Sequence, residues 1–567
     1  MRLSRLGRAV AVVVAGLVLA GCAGLPTSGQ VNVGLPLQDD LPDFDPNQIA
    51  AGPADGASPE DIVAGFLEAG VTPTEGWSTA RLFLTSEFAA AWHPDTGVTI
   101  DASLSSRAFA TGAAETNDQN GTADVAVTLE QVAGVDDTGA YTPAPGTAKS
   151  AFHLVQGDDD QWRIAEAPDG IVLDVESFAQ VYDRHVLQYF DPTWSRLVPD
   201  ARWFPRRASM ATAITQAVVN GQPSPWLAPG VLTAFSGDVE LARDAVPVDP
   251  SQVAEVALGR AALAVQPVTL ARMRTQLEAS LSGLGITEVR FTVDGAPLEA
   301  NVVDVEQAAP EPSVLVLTED SFGTAVGDQV APLPGLTAEI AKIDEPIANI
   351  DVATDGARAA VRLGSGAVFG VTEGERVELD ARAGLIAPTM DPYGYTWTVP
   401  RDDPQALQAW DAQVNRFPIA QAWPDASAIS HQRISSDGTR IAAVITVGGQ
   451  RRIVVAAIVR DDRGVPTGVG EVHEIGRVAA PTQGLAWLGP DSAMVLTGGE
   501  DALVITQQVG GPADFVSAPA GARSISGAKA MAWVRVLGDD GVVYAQRGSS
   551  WQEGADGILV LGTHAGL

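Results

Sequence analysis

Cysteine is almost absent from this chain, since Cys22 is the only one among 567 residues. A single thiol excludes a disulfide within the chain, so the folded parts must be stabilised by hydrophobic cores. It also argues against a structural zinc site, because such sites are built chiefly from cysteine and histidine. The six histidines are scattered along the sequence. We therefore predict no metal site and no cofactor.

Lysine is nearly as scarce, with three lysines against 32 arginines and 70 acidic residues, and the formal net charge is −35. Binding to nucleic acid requires clustered basic residues that neutralise phosphates, so this balance argues against a nucleic-acid partner. It argues equally against broad contact with anionic lipid headgroups. The chain reads as an acidic, globular protein with several cores, because 46% of its residues are hydrophobic.

Long hydrophobic runs are missing too. The uncharged apolar run near the start covers 12 residues, from Ala9 to Ala20, whereas a membrane-spanning helix needs about 20. Arg2, Arg5 and Arg8 precede it. A basic start, a short apolar segment and small residues at its end are typical of a secretory signal peptide. We predict a signal peptide over residues 1–21, with the rest of the chain outside the cytoplasmic membrane.

The lone cysteine lies at the end of this signal. The segment Leu19-Ala20-Gly21-Cys22 resembles the lipobox of bacterial lipoproteins, which implies cleavage between Gly21 and Cys22. The resemblance also implies a diacylglycerol thioether on the Cys22 sulfur and N-acylation of the new amino terminus. Two acyl chains are enough for stable attachment. Cys22 is thus the predicted lipid attachment site, the plasma membrane is reached through that anchor, and the protein faces the cell exterior.

Composition divides the remaining chain. A flexible, proline-rich tether is predicted over residues 22–57, with Pro26, Pro36, Pro42, Pro46 and Pro53. An α+β domain follows over 58–183, an α/β domain over 184–305, a linker over 306–335 and an all-β domain over 336–567. The predicted fold class is therefore multidomain.

In the first domain, Ser58-Pro59-Glu60-Asp61 is a favourable helix start. A second helix is predicted from Thr79 to Trp92, followed by alternating strands and a hairpin that turns at residues 157–160. This order indicates a cystatin-like or nuclear-transport-factor-like domain. Three aspartates, 158–160, occupy that turn, but they lack the spacing of a calcium loop, so we interpret them as solvated.

In the second domain, helices are predicted over "ASMATAITQAVVNG" and from Val268 to Leu281. The strand in "GITEVRFTVDGAPL" turns at Asp294-Gly295. The order of elements and the segment "VRFTVDGAPL" resemble the GerMN domain of extracytoplasmic bacterial proteins.

The third domain repeats an apolar strand, an aspartate-containing turn and a second apolar strand. The turns lie at Asp355-Gly356, Asp437-Gly438 and Pro490-Asp491, with a degenerate copy near residues 391–394. Propeller blades recur at about 40–50 residues, which predicts a β-propeller of five or six blades. A pair of packed β-sheets is the competing architecture.

Catalytic motifs were not found in the sequence. There is no Gly-x-Ser-x-Gly elbow and no phosphate-binding Walker loop. "TGVGEVHEIG" places His473 where a dinucleotide fingerprint needs glycine, and Arg477 where a zinc protease needs its second histidine. Acidic residues are too numerous for a glycosidase pair to be excluded by counting. We predict no catalytic residues and a protein that is not an enzyme.

Several segments taken together resemble the actinobacterial LpqB family of lipoproteins: "LAGCAGLPTSG", "SPEDIVAGFLEAG", "ARLFLTSEFAAAWHPDTGVTI", "RWFPRRASMATAITQAVVNGQPSPWLAPGV", "IAPTMDPYGYTWTV" and "RISSDGTRIAAVI". The resemblance implies a GerMN-like domain and a degenerate propeller. It also implies an accessory role for the MtrA–MtrB two-component system, in which the lipoprotein binds the extracytoplasmic domain of the MtrB sensor histidine kinase. Envelope homeostasis and cell division would be influenced downstream. Only Cys22 carries over as a functional residue.

A second hypothesis stays open. The propeller or the GerMN-like domain would then bind or hydrolyse an envelope glycan or peptide, with Trp397, Trp410 and Trp423 stacking on sugars. Packing within the blades is the favoured interpretation of these tryptophans.

Overall fold

The computed structural model describes residues 50–73, 76–111, 121–206, 209–235, 237–306, 313–327, 329–548 and 550–567. The signal peptide, the Gly21–Cys22 cleavage site, the lipid attachment at Cys22 and residues 22–49 of the tether lie outside these residues. Residues 50–57 differ from the predicted tether, because Ala50 and Ala57 pack on the core of the first domain. Within the described ranges, no helix is long and apolar enough to cross a bilayer.

The first domain packs short helices on a mostly antiparallel sheet. Its elements are α1 Pro59–Glu68, α2 Ser78–Arg81, α3 Ser86–Ala91, β1 Gly97–Asp101, β2 Ala108–Thr111, β3 Thr122–Asp136, β4 Tyr141–Gln156, β5 Trp162–Glu166, β6 Ile171–Asp174 and α4 Val175–Val181. The sheet order is β5-β4-β3-β1-β6, and β2 also pairs with β3. Ser58 caps α1 in a capping box with Asp61, as its sequence indicates. The α+β prediction is confirmed.

The helix predicted from Thr79 to Trp92 is instead two short helices, α2 and α3. Leu84, between them, forms a parallel bridge with Ile164 on the edge strand β5. Thr85 then caps α3 by accepting a hydrogen bond from the Phe88 N–H at 3.2 Å. Pairing with the sheet edge thus interrupts the helical periodicity.

The second domain is built on a βαβ unit. Its elements are β7 Tyr182–Phe190, β8 Leu197–Pro205, α5 Met210–Val219, β9 Val253–Ala257, α6 Pro267–Leu281, β10 Glu288–Val293 and β11 Ala296–Leu298. Strands β9 and β10 are parallel and α6 joins them, while β10 and β11 form a hairpin. The predicted helices and the turn at Asp294-Gly295 are present.

The third domain is a ring of six sheets, which we call blades 1–6. Blade 1 contains Val560–Leu561, Leu315–Leu317, Phe322–Val326 and Gln329–Pro332; blade 2 contains Ile347–Val352, Arg358–Leu363, Val368–Thr372 and Glu375–Asp380; blade 3 contains Thr389–Met390, Thr396–Thr398, Gln408–Trp410 and Arg416–Pro418. Blade 4 contains Ala428–Ile434, Arg440–Val447, Gln450–Arg460, Pro466–Val469 and His473–Val478; blade 5 contains Thr482–Leu488, Ser492–Thr497, Leu503–Gln508 and Ala513–Ser517; blade 6 contains Ala522–Ser526, Arg535–Gly538, Val543–Arg547 and Ser550–Glu553. The first strands of neighbouring blades contact one another around a central axis, so the architecture is a propeller and not a pair of packed sheets.

The ring closes between the two ends of the third domain. Val560–Leu561 pairs antiparallel with Leu315–Leu317 and completes blade 1 from inside. The predicted linker over 306–335 is therefore wrong for residues 315–332, which form three strands of that blade. Helix α7, Leu336–Ile340, leads into blade 2. These strands are three to five residues long, too short for clear alternation along the sequence.

Candidate functional site

The second domain lies on one face of the propeller, the face formed by the turns between the first and second strands of the blades. Tyr393, in this turn of blade 3, donates a hydrogen bond from its hydroxyl to Asp191 Oδ2 at 2.6 Å. Arg184 on β7 forms a 2.7 Å ion pair with Asp491 in the corresponding turn of blade 5. Trp203 on β8 donates its indole N–H to the Gly510 carbonyl at 2.8 Å. Blades 3 and 5 are thus both fastened to the second domain.

A shared core stabilises this contact. Phe190, Leu227 and Val231 of the second domain belong to the same buried cluster as Val444 of blade 4 and Trp487 of blade 5. Burial of apolar surface is the largest favourable contribution to association. The second domain and the propeller are therefore continuous in their packing, not two bodies joined by a strand of chain.

The first domain also reaches this junction. The tight turn between β3 and β4 packs on the second domain, where the backbone N–H of Trp203 donates a hydrogen bond to the Gly139 carbonyl at 2.8 Å. Arg202, buried beside it, donates to the Thr138 carbonyl at 3.3 Å. All three domains consequently meet at one place.

A cavity of about 220 Å³ lies where they meet, and all three domains line it. The first domain contributes Asp136 and Tyr141, and the second contributes Asp200 and Trp226. The propeller contributes a larger set: Arg440, Glu471, Val472, His473, Asp491, Val509 and Gly510. Concave sites between domains are common places for small-molecule binding, so this junction cavity is the candidate functional site.

Several charged groups of the junction cavity already have partners. Arg202 and the Ser224 N–H and hydroxyl occupy both oxygens of Asp200. Arg440 is buried and donates from Nη2 to Asp437 and to the Pro490 carbonyl. Its Nε has no partner among the described residues. These pairs hold charge in place at the wall of the cavity.

Other groups of the junction cavity remain available for a ligand. The three hydrogen bonds accepted by Asp136 all go to Oδ1. The rings of Trp226 and His473 lie parallel, with centroids 5.4 Å apart. Burial lowers the pKa of His473, although Asp200 and Glu471 oppose this, so the ring is neutral at pH 7. Burial raises the pKa of Tyr141 to about 12, and its phenol is therefore protonated.

The central channel of the propeller holds a segment of the chain itself. Residues Thr563–His564 pair in parallel with the first strand of blade 2, and Thr563 Oγ1 bonds to Asp351. Arg433 donates to the same Thr563 oxygen at 3.3 Å. The following residues reach blade 4, since a Cβ on Gly566 would lie 2.7 Å from Ser436 Cα. Residues 563–567 thus occupy the space where many propellers present a ligand site.

The structure places the sequence-based site candidates in different environments. Trp397 and Trp423 are fully buried in a core cluster of blades 3 and 4, and Trp410 donates its indole N–H to Thr398 Oγ1 at 2.9 Å. The hypothesis of a sugar-stacking surface is wrong for Trp397 and Trp423, because their rings are buried in the packing of blades 3 and 4, whereas Trp410 is half-buried. Asp158, together with its two acidic neighbours, is exposed in the predicted turn. Within the described ranges, no group of three or more histidine and acidic side chains is arranged to hold a metal ion.

The sequence did not indicate the junction cavity. Its Trp226 and His473 are 247 positions apart, and neither belongs to a motif that predicts contact. In "TGVGEVHEIG", His473 is notable only because it stands where a dinucleotide fingerprint needs glycine. The Asp-Pro turns at Asp191 and Asp391 lie at the contact between the second domain and blade 3 and do not line the cavity.

Family models match most of the chain. Residues 52–179 match "Lipoprotein LpqB, N-terminal domain", residues 187–299 match the Germane model, "Sporulation and spore germination", and residues 317–559 match "Lipoprotein LpqB beta-propeller domain". The three models therefore follow the three domains in order.

Curated relatives match over nearly the whole length. Lipoprotein LpqB of Streptomyces coelicolor is 28% identical, with 98% of this chain and 97% of the relative aligned. Lipoprotein LpqB of Streptomyces avermitilis is 27% identical over 95% of this chain and 94% of the relative. Lipoprotein LpqB of Mycobacterium tuberculosis is 27% identical over 82% and 81%. With its three domains matched in order and its length shared with these relatives, the chain belongs to the LpqB family of lipoproteins.

Proposed function

We propose that this protein is a lipid-anchored scaffold on the outer face of the cell membrane that binds a sensor histidine kinase of the MtrB type and modulates its signalling. Diacylglycerol on Cys22 would hold it beside the membrane-embedded kinase, and its folded domains would contact the kinase's extracytoplasmic part. Tethering raises the effective concentration of one partner near the other, so a modest affinity is sufficient for regulation.

The observation that carries this proposal is the locking of three domains into one body. Asp191 of the second domain is completely buried and accepts the Tyr393 hydroxyl of the propeller. A rigid body fixes the distances and orientations between its own domains, and so the shape of any surface that they form together, whereas domains on flexible linkers do not. A scaffold that presents one surface to a membrane protein requires this property.

The proposal is for a non-catalytic role. The tight packing of Thr563 against Asp351 and Arg433 in the channel counts against a hydrolytic site in the propeller. Asp200, the most deeply buried acid of the junction cavity, has both oxygens engaged. A general acid or base must instead have a proton position free for the substrate.

Chemical crosslinking in intact cells, followed by purification of the tagged full-length protein and mass spectrometry, tests the proposal. Peptides from the kinase's extracytoplasmic domain should be recovered with the wild type. Cys22→Ala should release the protein from membranes and reduce that recovery at least several-fold, while Ser28→Ala, which leaves the lipobox intact, should change neither. Equal recovery with Cys22→Ala would contradict the tethering step, and absence of kinase peptides from every sample would contradict the partner.

A further inference from the structure

We propose that the junction cavity binds a single sugar ring, neutral or amino-substituted, such as one unit of an envelope glycan. This inference goes beyond the proposed kinase contact and does not depend on it, because the residues that carry it line a defined cavity and no kinase surface has been assigned. The three arguments concern size, hydrogen bonding and charge.

The size of the junction cavity suits a small ring. At about 220 Å³ it falls below the range of roughly 300–1,000 Å³ that is usual for drug-sized ligands. Asp136 and Glu471 on its wall are exposed, whereas Tyr141 and Trp226 are buried. One side is therefore open to solvent, and a ring could enter there while the rest of a longer glycan stays outside.

The unpaired groups of the junction cavity comprise both donors and acceptors. The Tyr141 hydroxyl, the Trp226 indole N–H and the His473 ring make no hydrogen bond to any described residue, and all three line the cavity. Asp136 Oδ2 and the Glu471 carboxylate are acceptors only. A sugar hydroxyl donates and accepts at once, so neighbouring hydroxyls can satisfy the carboxylates and the N–H and O–H groups together. An ammonium ion would leave the donors unpaired.

Aromatic surface is present for the body of the ring. Trp226 is stacked on His473 at an interplanar angle of 6°, which fixes the orientation of the indole. Tyr141 of the first domain also lines the cavity, and its ring is held by contacts with Phe178 and Trp203 at centroid distances of 6.3 and 6.2 Å. The C–H faces of a pyranose are apolar, and planar aromatic rings bury such faces efficiently.

The charge of the junction cavity excludes an anionic ligand. Asp136, Asp200, Glu471 and Asp491 contribute four carboxylates, and the nearby guanidiniums of Arg184 and Arg440 are already paired with Asp491 and Asp437. A carboxylate or phosphate would thus meet excess negative charge on a wall that is partly shielded from water. Neutral and amino-substituted sugars avoid this repulsion.

Calorimetric titration of the full-length protein in detergent tests the inference. The probes are D-glucose, D-galactose, D-arabinose, N-acetylglucosamine and glucosamine, with sodium acetate, inorganic phosphate and L-arginine as comparison ligands. At least one sugar should bind and the anions should not. Tyr141→Phe, which removes one hydroxyl and keeps the ring, should weaken that sugar about five- to tenfold, the loss expected for one hydrogen bond. Tyr544→Phe is the matched control, since Tyr544 bonds to Asp540 on the outside of blade 6.

Glu471→Gln is a second test variant, and it should fold like the wild type because Glu471 is exposed. It should weaken the same sugar by a similar factor. Three results would overturn the inference: no sugar binds, an anion or L-arginine binds in preference to every sugar, or a sugar binds with equal affinity in the Tyr141→Phe and Glu471→Gln variants. None of these results bears on recovery of the kinase, so the two proposals fail separately.

Discussion

The hydroxyl of Tyr393 donates a 2.6 Å hydrogen bond to Asp191, although 202 positions separate the two residues. Two guanidiniums contact the Tyr393 ring, with Arg196 at 5.0 Å and Arg460 at 4.1 Å from its centroid. Gly438 closes the space beside it, because a Cβ there would lie 2.5 Å from the ring, and its φ is +72°. The turn of blade 3 is therefore held against the second domain by specific contacts of the Tyr393 side chain.

Replacing Tyr393 with phenylalanine should weaken this attachment. The variant keeps the ring and its cation–π contacts but leaves one oxygen of the buried Asp191 carboxylate with fewer donors. Hydrogen bonds to charged groups contribute about 1.5–3 kcal/mol, and Thr193 still donates to the same oxygen. We expect a loss of about 1–2 kcal/mol, measured by amide hydrogen exchange in β7 and in the turn of blade 3.

Tyr544→Phe is again the control, because its hydrogen bond to Asp540 is at the surface. It should leave exchange at the interface unchanged. If Tyr393→Phe left the protection of both segments at the wild-type level, the hydrogen bond to Asp191 would not hold the domains together.

Arg460 and Arg463 offer a matched pair of arginines on the same turn. Arg460 and its partner Asp391 are both completely buried, with a 2.6 Å ion pair, whereas the side chain of Arg463, paired with Asp461, is 80% exposed. Removing one member of a buried pair leaves an uncompensated charge and costs about 3–5 kcal/mol. Arg460→Met should thus markedly lower the denaturation midpoint of the propeller, and Arg463→Met should leave it nearly unchanged. Equal effects of the two substitutions would contradict this account of the turn.

Stability should fall as the solution is acidified below pH 6.5. Burial between blades 4 and 5 lowers the pKa of His431 from 6.5 to about 4, with Arg433 and Arg401 adding to the effect. Between pH 6.5 and pH 4 the unfolded chain binds a proton at this histidine and the folded chain does not. The contribution of the neutral His431 to the free energy of unfolding is therefore complete above pH 6.5 and is lost towards pH 4. At 1.36 kcal/mol per pKa unit, the loss is at most about 3 kcal/mol.

Thermal denaturation between pH 4 and pH 7 checks this pH dependence. His431→Gln retains an N–H for the Thr482 carbonyl, which His431 now bonds at 3.2 Å, and it should flatten the profile. Some slope should remain, since burial also lowers the pKa values of His185, His473 and His564. An unchanged slope in the variant would show that His431 is not protected from protonation.

Thr563 should be important for closure of the propeller. Its hydroxyl bonds to Asp351, to Arg433 and to the Ile350 carbonyl. Valine has the same shape but no hydroxyl, so Thr563→Val should cost about 1–3 kcal/mol by leaving buried polar groups unpaired. Chemical denaturation measures the loss, and Thr467→Val, at an exposed hydroxyl, is the control. A cost no greater than that of the control would mean that the channel segment is not held by this network.

Local features of the fold were readable from the sequence because neighbouring residues determine them. Ser58 and Asp61 form the predicted cap of the first helix, and the turns at Asp355 and Asp437 join the first two strands of their blades. In each case a side chain bonds backbone groups within a few positions, for example the Thr439 N–H to Asp437 at 2.9 Å. Such bonds form whatever the rest of the chain does.

Contacts between distant segments were not readable. Leu561 completes a blade whose other strands begin at Leu315, and the short strands of that blade have the composition of a linker. The same limit applies to Trp397, which the sequence could place either in a core or on a sugar-binding surface. Its burial depends on the strands of the next blade, and periodicity within one strand carries no information about them.

Mass spectrometry of the amino-terminal peptide from protein purified out of native membranes tests the central claim most directly. A mature chain that begins at Cys22 with diacylglycerol on its sulfur is the predicted result. A membrane-derived chain with an unmodified Cys22 thiol would contradict the anchor, and with it the scaffold that the anchor is proposed to hold beside the kinase.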